Sequence, residues 1–203
     1  MISADPKLII SDKNIYNNLA EYELYVSTDS LTHQKITAEK IYFNKTYLNK
    51  TEETFSSDIF ISSFQVKEGM EDTVVRWLEK ICYLNKGFQI ILNNYSCIPE
   101  EKIFIRIQNL YAIQQLVNQL KMVDSFITSA NCPAPEFNYT PYIIIAEKLI
   151  PAIYYLAIKE YSKKLFYASF EVKSLVLLKR NSVHQPFKVI NRFAVPQQTL
   201  ARN

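Results

Sequence analysis

The chain has 203 residues, among them two histidines, His33 and His184, and three cysteines, Cys82, Cys97 and Cys132. Neither histidine has a partner at metal-ligand spacing and the cysteines match no C-x-x-C pattern, so no metal is expected. His33 lies in "LTHQKIT", a helical context in which a surface position is the simpler reading. His184 lies in "RNSVHQPF", a turn from which a loop could bend toward a site. With two glycines in the chain, neither G-x-G-x-x-G nor a Walker A sequence can be written. What remains is acid, phenol and guanidinium chemistry on aromatic-rich segments. "SSDIFISSF", residues 56–64, places Asp58, Phe60 and Ser62 at alternate positions. "YTPYIIIAEKL", residues 139–149, offers Tyr142 and, two on, Ile144. "KIFIRIQ", residues 102–108, sets Lys102, Phe104, Arg106 and Gln108 against Ile103, Ile105 and Ile107. Aromatic rings beside an arginine can stack a base and neutralise a phosphate.

These residues must be positioned by strands. Residues 21–27 read as a strand and 30–47 as a helix opening at a Ser/Asp cap region. "DIFISSF" is a strand. Val74, Trp77, Leu78 and Ile81 then recur at helical spacing. "GFQIILNNY" and "KIFIRIQ" follow as strands, separated by a turn at Pro99. The order then begins again. A helix over 111–128 presents Ile113, Leu116, Val117 and Leu120, and "PYIIIAE" is a strand with Pro141 at its mouth. A helix from 151 to 165 has proline in its first turn, and "SFEVKSLVLLKR" and "FKVINRFAV" close the chain as two strands. Each half reads helix, strand, helix, strand, strand, an internal duplication. We expect one bilobal domain over 1–203, with lobes of roughly 29–109 and 110–195 and strand 21–27 completing the sheet. The fold class is α+β: two pseudo-symmetric lobes of antiparallel sheet, helices on their outer faces, and a central groove.

Over residues 21–195 this order resembles the 2H phosphoesterase superfamily, the 2'-5' RNA ligase-like proteins and cyclic nucleotide phosphodiesterases. The stretches that carry the resemblance are "SSDIFISSFQVKEGMEDTVVRWLEKI", "FQIILNNYS", "KIFIRIQN", "CPAPEFNYTPYIIIAEKL" and "VLLKR". The resemblance implies one H-x-[ST]-x motif in each lobe. Residues i and i+2 of a strand share a face, so each motif delivers an imidazole and a hydroxyl into the groove. One imidazole serves as general base, the other as general acid, and the hydroxyls hold phosphate. In this chain the first motif position is Asp58 with Phe60 at i+2, and the second is Tyr142 with Ile144 at i+2. A carboxylate repels phosphate, and a phenol with a pKa of about 10 is far from the near-neutral value that acid–base work favours. Phe60 and Ile144 offer no hydrogen bond.

Catalysis is therefore expected to be lost, with no catalytic residue assigned. The expected ligand is a nucleotide or RNA end, and the candidate binding residues are Tyr142, Arg106, Phe104, Asp58 and Ser62, with no cofactor. Two other readings stay open. The chain could be a working cyclic phosphodiesterase, of the RNA 2',3'-cyclic type, with groups relocated to Asp58, Tyr142 or His184. It could equally be an interaction scaffold in which Phe60, Tyr142 and Ile144 fill space. The net charge of +3 is too small to argue for nucleic acid by itself, and Lys179 and Arg180 read as a solvated strand end. The most apolar region, 142–158, is broken by Glu147, Lys148 and Pro151, so no membrane span is expected. An odd cysteine number and no signal-peptide segment suggest a cytoplasmic protein, and a monomer is expected.

Overall fold

A computed structural model describes residues 19–47 and 56–197. Its first strand, β1 (Leu19–Val26), alternates as the sequence dictates. Ala20, Tyr22, Leu24 and Val26 are buried, and Glu21, Glu23 and Tyr25 lie on the other, half-exposed face. The Asp29 carboxylate accepts the Thr32 N–H at 2.7 Å and so caps α1 (Ser30–Tyr47). Next come β2 (Ile59–Lys67), a single 3₁₀ turn at Glu68–Met70, and α2 (Glu71–Leu84), which buries Val74, Leu78, Ile81 and Cys82. The strands β3 (Gln89–Ile98) and β4 (Lys102–Ile107) precede α3 (Tyr111–Ser129), whose buried stripe runs from Ile113 to Ile127. A two-residue strand, β5 (Glu136–Phe137), leads to β6 (Tyr142–Glu147) and α4 (Pro151–Tyr161). The chain closes with β7 (Tyr167–Glu171), β8 (Ser174–Arg180) and β9 (Lys188–Ala194).

The strands form two antiparallel sheets. Sheet A has the order β5-β2-β1-β8-β9 and sheet B the order β6-β4-β3-β7. Helices cover one face of each, and the helix-free faces border the central groove. Each sheet draws on both halves of the chain. "SFEVKSLVLLKR", expected as one strand, is two: β7 joins sheet B and β8 joins sheet A. The alternation shows why. Phe170 and Val172 are buried, Lys173 and Ser174 are not, and burial resumes out of phase at Leu175. Val172 N–H bonds to Phe88 O of one sheet, while Lys173 O accepts the Val195 N–H beside the other.

The helices interlock the sheets. α1 connects two strands of sheet A yet packs on β6 and β7 of sheet B. α3 follows β4 of sheet B and leads to the short edge strand β5 of sheet A, and it packs on β2 of sheet A. α1 and α4 meet through the Phe43 and Tyr161 rings at 5.6 Å, a Tyr47 hydroxyl bond to Glu160 at 2.7 Å, and the Lys164–Glu39 pair at 2.7 Å.

Glu71, at the start of α2, ties that helix to sheet A. It accepts the Tyr22 hydroxyl at 2.6 Å and pairs with Lys179 of β8. Burial alone would raise the Glu71 carboxyl, but the bonds from Lys179 and Tyr22 outweigh it and hold it below its ordinary value. A carboxylate held low in the folded state stabilises the fold while ionised, and that contribution fades as pH falls through the folded value. We predict that Glu71→Gln costs about 1–3 kcal/mol at neutral pH. The difference from the parent should shrink as pH drops below about 4, the ordinary carboxylate range. Urea denaturation of both proteins across that range checks this, and a pH-independent difference would contradict it.

Candidate functional site

Which side chains enter the groove is set by two bulges. In the β1–β2 ladder Leu24 faces Ser62 and Tyr25 faces Phe60, so Ile61 is an extra residue. In the β4–β6 ladder Ile103 faces Ala146 and Phe104 faces Ile144, so Ile145 is extra. Each extra residue falls three positions after Asp58 or Tyr142, and the two residues at such a bulge both turn to one side. Ile61 with Ser62, and Ile145 with Ala146, all point inward and are buried. Ser62, expected in the groove, instead lies in the core beside Phe64, Leu78, Leu120 and Phe137. Ser63 takes the half-exposed face in its place.

On sheet A the first motif position is already engaged. The Asp58 carboxylate accepts the Thr28 backbone N–H at 2.9 Å and the Thr28 hydroxyl at 3.3 Å. It therefore fastens the exit of β1 to the entry of β2. Phe60 stands edge-on to the Tyr25 ring at 5.5 Å. The Tyr25 hydroxyl donates to Glu23 at 2.8 Å, and burial pushes the Glu23 carboxyl above its usual range while that bond opposes the rise. Burial, then the charge of Glu23, pushes the Tyr25 phenol well up. Lys40 of α1 bonds Ser56 O at 2.9 Å; burial pushes its pKa down to about 8, against the pull of Asp58. Glu21 pairs with Arg180 at 2.6 Å, so Arg180 is held within the protein rather than left as a solvated strand end.

Sheet B brings together the other predicted residues. Arg106 pairs across the ladder with Tyr142, and Phe104 with Ile144, all on the helix-free face. The Phe104 and Tyr142 rings lie 4.4 Å apart, tilted by 33°. Lys102 donates to the Tyr142 hydroxyl at 3.3 Å, stands 5.7 Å from that ring, and pairs with Glu101 at 2.7 Å. The Glu101 bond, opposed by burial and aided by Tyr142, holds the Lys102 ammonium above its usual value. Arg106 is exposed. β2 and β6 approach within 8 Å, Cα to Cα, so the two motif strands meet where the sheets join.

Known proteins supply the comparison. No protein-family model matches the sequence, and no curated protein matches it significantly. Solved structures do. Escherichia coli LigT complexed with 3'-AMP superposes with a TM-score of 0.60 at 11% identity, covering 87% of this chain and 98% of LigT. A phosphoesterase structure gives 0.57 at 12%, covering 87% and 98%. A Thermus thermophilus protein gives 0.56 at 12%, covering 88% of this chain and all (100%) of its own. The chain has the fold of LigT. LigT itself has also been solved with NADP+, ATP and phosphate.

Within this LigT-like frame, His33 is exposed on α1 and His184 is exposed in the β8–β9 turn. Among the described residues no cluster of three or more His, Cys, Asp and Glu could hold a metal, and no helix is long and apolar enough to cross a membrane. Sequence reasoning missed Glu23, Tyr25 and Lys40. The alternation of β1 carried the signal for Glu23 and Tyr25, since it puts both on the face opposite Tyr22 and Leu24. Nothing local marks Lys40, whose surroundings come from a distant strand. Asp58 is a fastening residue, so we predict that Asp58→Ala costs about 1–3 kcal/mol by leaving Thr28 unpartnered. Urea unfolding measures this, and unchanged stability would contradict the assignment.

Proposed function

We propose that this chain is a non-catalytic relative of the LigT-type phosphoesterases that binds a nucleotide or RNA end on the groove face of sheet B. The observation that carries the reading is the Phe104–Tyr142 ring pair, 4.4 Å between centroids, flanked by Lys102 and Arg106. A base stacked on such a ring gains about 1–3 kcal/mol, and a guanidinium pairs with phosphate oxygens. The complexes of LigT with 3'-AMP and ATP support a nucleotide as the ligand class. Lost catalysis is supported by the motif positions, which hold Asp58 bonded to Thr28, and Tyr142 bonded by Lys102. Neither position supplies an imidazole, and general acid–base catalysis is typically worth about 10²–10⁴-fold.

One observation favours a second reading. Glu23 is a carboxylic acid raised by burial and held by Tyr25 on the groove side of sheet A, the kind of group that can exchange protons nearer neutral pH. Calorimetric titration with adenosine 3'-monophosphate, beside an assay of 2',3'-cyclic AMP hydrolysis, separates the readings. We predict measurable binding, weakened about tenfold or more by Tyr142→Ala, in line with the stacking energy, and no turnover. Turnover that Glu23→Gln abolishes would establish the second reading. Absence of binding at millimolar ligand would overturn the first.

A further inference from the structure

Sheet B carries polar chemistry beyond the ring pair. β3 and β4 run in register from Ile98 to Tyr95 and again at Leu92, but between Tyr95 and Leu92 two residues, Asn93 and Asn94, face the single Arg106. Asn94 takes a left-handed φ of 59°, a conformation asparagine tolerates better than most residues. It is fixed there on both sides: its N–H donates to Phe166 O at 2.8 Å, and its side-chain oxygen accepts the Phe166 N–H at 3.2 Å. This irregularity sets Asn93 beside Arg106. The Asn93 amide donates to the Gln108 side-chain oxygen at 3.3 Å, and the Gln108 amide nitrogen has no protein partner among the described residues. Asn93, Arg106, Ile107 and Gln108 line a cavity of about 270 Å³. That is below the roughly 300–1,000 Å³ of a drug-sized ligand site, so it suits one base or one phosphate.

We infer that this cavity is a second nucleotide subsite, so that the chain prefers two or more linked nucleotides of single-stranded RNA to a mononucleotide. The inference rests on the proposed nucleotide binding at the ring pair. Arg106 is the shared element, since it pairs across the ladder with Tyr142 and also lines the cavity. A phosphodiester at its guanidinium would therefore join a base on the Phe104–Tyr142 pair to a base at Asn93 and Gln108. The cavity lining is one cation, two carboxamides and an isoleucine, with no carboxylate to repel the strand. Carboxamides donate and accept at once and so suit a base edge. On the far side Asn93 faces Tyr167 of β7, a residue 64% exposed that can take the second base. Tyr142, Arg106, Asn93 and Tyr167 thus form a row across all four strands, about 14 Å at the ordinary strand spacing.

The test compares adenosine 3'-monophosphate with the dinucleotide adenylyl-adenosine 3'-monophosphate by calorimetry. The dinucleotide should bind at least about tenfold more tightly. The double variant Asn93→Ala, Gln108→Ala should lose that advantage and keep the mononucleotide affinity, which also reports that it is folded. Equal affinities in the parent protein, or an advantage that survives the double variant, would overturn the second subsite and leave mononucleotide binding standing. Failure of both ligands to bind would overturn the second subsite together with the proposed function.

Discussion

One extra residue in each of two strands decides what this protein shows to its groove. Ile61 in β2 and Ile145 in β6 have no opposite number on the neighbouring strand. With strict alternation, a strand that turns Phe60 outward would also turn Phe64 and Val66 outward. The bulge reverses the phase, and Phe64 and Val66 are buried at 5% and 0% exposure. The strand thus keeps Asp58 and Phe60 at the groove and still delivers its second half to the core under α2 and α3. β6 repeats the arrangement, with Tyr142 and Ile144 outside and Ala146 inside. The same irregularity, three positions after Asp58 and after Tyr142, thus recurs in both sheets.

The swapped helices depend on the same arrangement. Each sheet is backed by the helix that follows its bulged strand and by a helix that follows a strand of the other sheet. Neither sheet is covered without the other, so the core forms as one unit. Within that unit the groove faces have different chemistry. Sheet A presents Glu21, Glu23, Asp58 and the Tyr25 phenol, with Arg180 bound to Glu21 and Asp58 bound to Thr28. Sheet B presents the ring pair with Lys102, an exposed Arg106 and carboxamides. The proposed anionic, planar ligand is assigned to the second face because the first is rich in carboxylates.

Most elements could be read from the chain because their cause is local. The strand of alternating Ile103, Ile105 and Ile107, the stripe of α3 and the proline at the start of α4 all stand where periodicity and proline chemistry put them. The same holds for Phe104, Arg106, Tyr142 and Ile144, whose placement on one face needs only a period of two. Ser62 failed because a bulge is a property of two strands, and neither alone announces it. β7 and β8 were joined as one strand because Lys173 and Ser174 mark the change of sheet with a slip of phase and no glycine or proline. Asp58 looked like a site residue because its partner, Thr28, lies 30 positions away in sequence. Glu23 was passed over because its burial is produced by neighbours on other strands.

The central claim is that the bulged strands define the working face and that sheet B carries the ligand. Amide chemical-shift mapping with adenosine 3'-monophosphate tests it most directly. The account predicts ligand-dependent shifts centred on Phe104, Arg106, Tyr142 and Ile144, with Ser62 and Ala146 unmoved. Shifts centred on the helices, on the core around Ser62, or on Glu21 and Glu23 alone would contradict it.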